Sequence, residues 1–353
     1  MSAHREARIP WLMVLAAMAA APAAADTLVV ANKAEATATL IDLTAGEAVA
    51  TLATGVGPHE VAVSPDGRTA VIADYGTVQR PGRTLTVLDI PGAAVTATIE
   101  LGAFSRPHGM AWLPDGRHLL VTAEAAHALI KVDVGAGRIV ASYPTAQDVS
   151  HMVAVAPDGG RAYVANIGSG SVTVIDLVAG RRLANVPTGA GAEGIDITPD
   201  GAEVWVTNRD ADTVTVLDAA TLEVVATVPA PSFPIRAKVT PDGEHVLVSC
   251  AEAGVLAVYD RAARKLAREV RFDLEATATA GRLFGDQFGK SPVPVGVVVA
   301  PDGSRAFVAH TQADRVALVD LANWRPAGAL TAGKEPDGMA YSRLTPRKAA
   351  PGD

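Results

Sequence analysis

Three histidines, His59, His108 and His151, are separated by 49 and 43 residues. The same two steps separate Pro65, Pro114 and Pro157, each of which opens a Pro-Asp-Gly turn. Each histidine therefore holds one position, six residues ahead of a turn proline. Imidazole suits zinc, copper, iron and nickel, and three rings converging from equivalent positions can meet an ion at nitrogen distances of about 2.0–2.1 Å. In later repeats this position carries Glu193, Ile235, Val295 and Asp337. A second position, nine residues after the proline, reads Asp74, Ala123, Asn166, Asn208, Cys250 and His310, with Asn32 as its equivalent near the start. The candidate metal ligands, for copper or zinc, are His59, His108, His151 and His310. Glu193, Arg236, Asp337, Asp74, Asn166 and Asn208 are the candidate ligand-binding residues, and no catalytic residue stands out. The competing reading is that each histidine caps a strand or binds water.

The elements that must position these residues repeat as well. The Pro-Asp-Gly turn occurs at Pro65, Pro114, Pro157, Pro199, Pro241 and Pro301, in steps of 49, 43, 42, 42 and 60. Proline presets φ for a turn and glycine accepts positive φ. A short apolar strand precedes each turn, as in Ile195-Asp196-Ile197. A second follows it, as in Val204-Trp205-Val206-Thr207-Asn208. A third and fourth complete the unit, as in Val214-Thr215-Val216-Leu217-Asp218 and Glu223-Val224-Val225-Ala226-Thr227-Val228. Four short antiparallel strands every 40 to 45 residues predict an all-β propeller.

The termini complete the count. Leu28-Val29-Val30-Ala31-Asn32 reads as a second strand without a first, and Pro336-Asp337-Gly338-Met339-Ala340-Tyr341-Ser342 as a first strand with nothing after it. Sharing one blade, three strands from the N-terminal side and one from the C-terminal side, they close a ring of seven and leave only short, protected edges. The expected domain is residues 26–342, with 343–353 as a tail.

In such a ring the first strands line a central channel. Both recurring positions then fall on one face, opposite the Pro-Asp-Gly turns. Two departures from the repeat share the histidine face. The 60-residue step holds an extra segment, 272–293, with Phe272, Arg282, Phe284 and Phe288, and the 49-residue step holds an enlarged loop, 75–83. Long loops on a compact scaffold often carry function. Arg236 and Lys238 could hold an anion near the mouth. Cys250 reads as a small strand residue.

The strand Tyr163-Val164-Ala165-Asn166 and its relative Trp205-Val206-Thr207-Asn208 resemble the signature of the 40-residue YVTN repeat of YncE-like β-propellers. The resemblance covers nearly the whole chain beyond residue 25. It implies a seven-bladed propeller and leaves the activity open, because propellers host unrelated functions. Relatives by fold include lactonases, the heavy subunit of amine dehydrogenases and the copper domain of nitrous oxide reductase. The last needs a larger histidine set and a second copper domain, so its activity is not carried over.

Composition sets the remaining bounds. Of 353 residues 49% are hydrophobic and 19% charged, which excludes disorder. A net charge of -8 lacks the broad positive field of nonspecific nucleic-acid binding. Residues 1–25 read as a signal peptide: Arg5 and Arg8, an apolar run at 11–21 too short to span a bilayer, and small residues at Ala23 and Ala25. Cleavage before Asp26 would deliver an unanchored monomer to the periplasm. A single cysteine excludes an internal disulfide. There is no Gly-rich phosphate loop, no G-x-S-x-G elbow and no paired-cysteine motif. The expected function is that of an exported binding or scaffold protein whose histidine face takes a metal, a small molecule or another exported protein. The alternatives are a lactonase-type hydrolase, or an accessory of a periplasmic redox system with a quinoprotein or cytochrome partner.

Overall fold

The computed structural model describes residues 26–277 and 280–346. The expected signal peptide lies outside the described residues. Among those described, 28 strands form seven antiparallel sheets of four. Blades 1 to 6 run consecutively over 58–100, 107–144, 150–187, 192–229, 234–271 and 294–331. Blade 7 joins the inner strand Pro336–Ser342 to Thr27–Asn32, Thr37–Asp42 and Glu47–Ala53. The seam is in register, pairing Leu28 with Tyr341, Val29 with Ala340 and Val30 with Met339. Thr27 Oγ1 donates to the Leu344 carbonyl at 2.6 Å and Tyr341 donates to Asp26. Residues 343–346 of the expected tail thus begin against the closing blade.

Local chemistry explains the repeat. In each Pro-Asp-Gly turn the glycine has φ between 64° and 75°, and its N–H bonds the residue ahead of the proline. The turn aspartate braces the loop; Asp66 Oδ1 accepts from the Ser64 hydroxyl at 2.6 Å and the Arg68 amide at 3.0 Å. Strand alternation then sends successive side chains to opposite faces. Both faces are buried, because each blade packs on two neighbours. The result is seven apolar clusters, one at each junction between blades. The junction of blades 4 and 5, for example, holds Trp205, Val214, Val246 and Tyr259, all fully buried. Each large side chain so buried stabilises the ring by about 1.5–3 kcal/mol.

Between residues 75 and 83 the structure shows an extended hairpin rather than an irregular loop. The strands Thr69–Gly76 and Pro81–Asp89 continue to a tight turn, closed by the Thr77 amide on the Arg80 carbonyl at 2.9 Å. Among the described residues no helix is long and apolar enough to cross a membrane.

Candidate ligand site at the channel mouth

Three backbone features aim side chains into the mouth, and each recurs in all seven blades. The residue ahead of the inner strand has positive φ: Gly57, Arg106, Val149, Gly191, Phe233, Val293 and Glu335. Five of the seven are not glycine, and two are β-branched, so the turn into the channel carries real strain. The carbonyl of this residue accepts from a residue at the end of the second strand or just past it, as Gly57 does from Tyr75, Arg106 from Glu124 and Glu335 from Lys33. Finally, each inner strand slips by one residue against its neighbour: Pro58 pairs with Asp74 but Val61 with Ile72, and the other six repeat the shift. Such a bulge re-aims the residues within it.

The histidine position is second in the inner strand, within the bulge. The bulge's next residue reads Glu60, Gly109, Met152, Gly194, Arg236, Gly296 and Gly338. Here glycine permits close approach. A Cβ at Gly109 would lie 2.5 Å from the His151 carbonyl, and one at Gly338 2.4 Å from that of His59.

The three histidines meet as the spacing implied. Ring centroids of His59 and His108 lie 4.4 Å apart, and those of His108 and His151 3.6 Å apart. Tyr75 stands edge-on to His59 at 4.9 Å and to His108 at 5.5 Å. The outer two rings are held by carboxylates. His151 Nδ1 lies 2.5 Å from Glu124 Oε1, whose other oxygen accepts from Tyr75 at 2.6 Å. His59 Nδ1 lies 2.6 Å from Asp337 Oδ2, and His59 Nε2 faces Lys33 Nζ at 2.8 Å. His108, between them, is fully buried and has no hydrogen-bond partner at either nitrogen.

Charge pairing organises the far side. Arg236 donates to Glu60 at 2.5 Å and to Glu193 at 3.1 Å, and Arg209 donates to Glu193 at 2.8 Å. Glu193 also lies 3.4 Å from His151 Nε2. These contacts set the protonation states. Burial and the neighbouring His151 push His108 far below the ordinary imidazole value. Burial would lower His151 too, but Glu124 and Glu193 outweigh it and raise it. Burial works to raise Glu193, yet His151 and the two arginines hold it at about 2. Burial raises Glu60 against the pull of Arg236, and lowers both His59 and Lys33. Tyr75, buried beside Glu124, is pushed up to about 12.

Glu193, Arg236 and Asp337 thus join the three histidines at the mouth, while four other candidates lie elsewhere. His310 is buried in the seam of blades 5 and 6, its ring edge-on to Phe272 at 4.4 Å. Asp74 accepts from Thr84, Thr86 and the Gly55 amide, and burial raises it to about 6. Asn166 donates to Thr173 and Asn208 to Thr213 and Thr215, all within their own blades. Cys250 is buried at the same position and its thiol is pushed up by burial. Lys238 pairs with Asp196 at 3.1 Å, away from the mouth.

The reason is parity. The residue nine places after the turn proline points between blades, and the tenth points into the mouth. That ring reads Tyr75, Glu124, Ile167, Arg209, Ala251, Thr311 and Lys33. Five of these border the mouth cavity, whose volume is about 820 Å³. Shifting the repeat alignment by one residue would have found them. The 272–293 segment covers the remaining two: Ser291 donates to the Ala251 carbonyl and Arg282 to the Thr311 carbonyl. Its residues Arg282, Leu283 and Phe284 form one wall of the cavity.

Two groups of side chains at the mouth could hold a metal ion. His108, Glu124 and His151 can each offer an atom within 4.8 Å of the others, and so can His59, Glu60 and His108. Carboxylates on the second nitrogens of ligating histidines are the usual outer shell of such centres.

Residues 168–278 match the family described as YNCE-like beta-propeller. Together with the seven closed blades, this match supports a YncE-like seven-bladed propeller. Among solved structures, the chain is similar to a functionally unknown protein from Desulfotomaculum acetoxidans DSM 771, with a TM-score of 0.73 at 14% identity over 91% of this chain and 99% of that one. It is also similar to the Kuenenia stuttgartiensis hydrazine synthase, with a TM-score of 0.67 at 19% identity over 80% of this chain and 88% of that one. At these identities the likeness is one of fold. No curated protein matches the chain.

Proposed function

We propose that this propeller is a periplasmic binding protein whose channel mouth holds a transition metal ion, copper or zinc, through His59, His108 and His151. The observation that carries the reading is His108. A fully buried imidazole with both nitrogens unpartnered gives up hydrogen bonds that water would supply. It does so between two further imidazoles, each beside a carboxylate at its Nδ1. Binding would engage His108, free His59 from Lys33, and turn His151 Nε2 from Glu193 toward the ion. A bound metal would supply Lewis acidity at a mouth open to solvent on one side.

The test is a melting curve of untagged protein with copper, zinc, nickel or cobalt. A ligand selective for the folded state raises the melting temperature by mass action. His108→Ala should abolish most of that rise while leaving the metal-free protein folded. Protonated imidazole does not ligate, and His151 is held protonated more firmly than usual. Binding should therefore weaken as pH falls, and the loss should begin above the ordinary imidazole value of about 6.5. If none of the four metals moves the curve at pH 7.5, the metal reading fails.

A further inference from the structure

The cavity is far larger than a bare ion needs. At about 820 Å³ it falls within the range of pockets that enclose small organic molecules. Five cations border it, and three are matched by carboxylates: Arg209 and Arg236 by Glu193, and Arg282 by Asp314. The other two have no carboxylate within ion-pair distance among the described residues. Lys33 Nζ meets only His59, at 2.8 Å. The Arg106 guanidinium lies over the Tyr75 ring at 5.1 Å and reaches only the backbone carbonyls of Thr77 and Val78, at 3.3 and 3.4 Å. These two cations flank blade 1, linked by the His59 and Tyr75 rings. Arg106 also keeps its side chain at a backbone position of φ 56°, where blades 1 and 4 use glycine.

Outside the cations the lining turns apolar. Val56, Val78 and Leu283 border the cavity and are 58%, 81% and 38% exposed, and Phe284 lies beside Leu283. Two cations outside any ion pair, beside exposed hydrocarbon, describe the complement of one kind of molecule.

We propose that the mouth binds a small organic monocarboxylate with an apolar body, its carboxylate between Lys33 and Arg106 and its hydrocarbon against Val78, Leu283 and Phe284. A carboxylate accepts charge-assisted hydrogen bonds from both cations, which a neutral isostere cannot match. The proposal rests on the mouth being the ligand site, but it does not require the metal.

The test compares 4-phenylbutyrate, its neutral amide and acetate by calorimetry and melting shift, on full-length protein treated with a chelator. Phenylbutyrate should bind at least tenfold more tightly than either analogue. Lys33→Met and Arg106→Gly should each weaken it at least tenfold. The glycine keeps the backbone conformation of the equivalent Gly57 and Gly191, and unchanged circular dichroism and melting temperature without ligand will show that each variant folds. Equal binding of acid and amide, no binding of phenylbutyrate at millimolar concentration, or wild-type binding by both variants would overturn the proposal. Zinc and copper shifts measured on the same preparation separate the two readings. A metal shift without carboxylate binding overturns only this inference, and carboxylate binding without a metal shift overturns only the metal site.

Discussion

His108 and His310 are both fully buried, and both have two nitrogens without a partner. Their surroundings differ. His108 sits at the mouth between two histidines, with Glu124, Asp337 and Tyr75 around them. His310 sits in a seam among Phe272, Val308 and the aliphatic residues between blades 5 and 6. Burial alone lowers His310, to about 3, whereas His108 is lowered by burial and by charged neighbours together. The seams hold the ring together by apolar packing. The mouth instead buries charge, and its most deeply buried cation, Arg236, is paired with Glu60 and Glu193. A buried histidine therefore signals a site only when other polar groups converge on it.

The strongest way to test the role of the seams is to open one. Deleting residues from 335 onward removes Met339 and Tyr341 from the closing blade, at roughly 1.5–3 kcal/mol for each, and exposes a sheet edge. The truncated protein should melt far below the intact one. Equal melting temperatures would show that the seventh blade does not close the ring in solution.

At the mouth, Arg236→Met leaves Glu60 and Glu193 facing each other without their shared cation. Breaking a buried ion pair from one side costs about 3–5 kcal/mol. Glu60 is already raised by burial, and without Arg236 it should rise further. A group with a raised folded pKa stabilises the fold once protonated. The variant should therefore recover stability relative to wild type between pH 7.5 and pH 5. Urea midpoints that differ equally at both pH values would mean that the charges are solvated.

In the seam the pH dependence runs in the other direction. His310 has a folded value near 3 against about 6.5 unfolded. Below pH 6.5 the unfolded chain takes up a proton that the folded chain refuses, so stability falls with pH. Between pH 7 and 4.5 this amounts to roughly 2–3 kcal/mol. His310→Leu should remove that part of the acid loss and leave metal binding unchanged. If the variant loses zinc or copper binding instead, His310 belongs with the other three after all.

The repeat made the fold legible because every turn is local. Pro-Asp-Gly sets its own geometry, and the half-units at Leu28 and Met339 complete each other in one blade. The same spacing brought His59, His108 and His151 to one place, since equivalent positions in a closed ring face a common axis. It misplaced Asp74, Asn166, Asn208 and His310 by one residue. Strand parity sends neighbours to opposite faces, and no composition signal marked which face was the mouth.

The sequence by itself thus determined seven blades, their closure and the convergence of three histidines, because each follows from short-range turns repeated at a fixed period. Only the tertiary structure decided the chemistry around them. The inner-strand bulge re-aims Glu60 and Arg236, residues 176 apart in sequence, until they meet at 2.5 Å. Lys33 reaches His59, and Glu124 reaches His151, from neighbouring blades. Contacts of that kind depend on where the ring closes and how far each strand slips, and the residues of a single repeat encode neither.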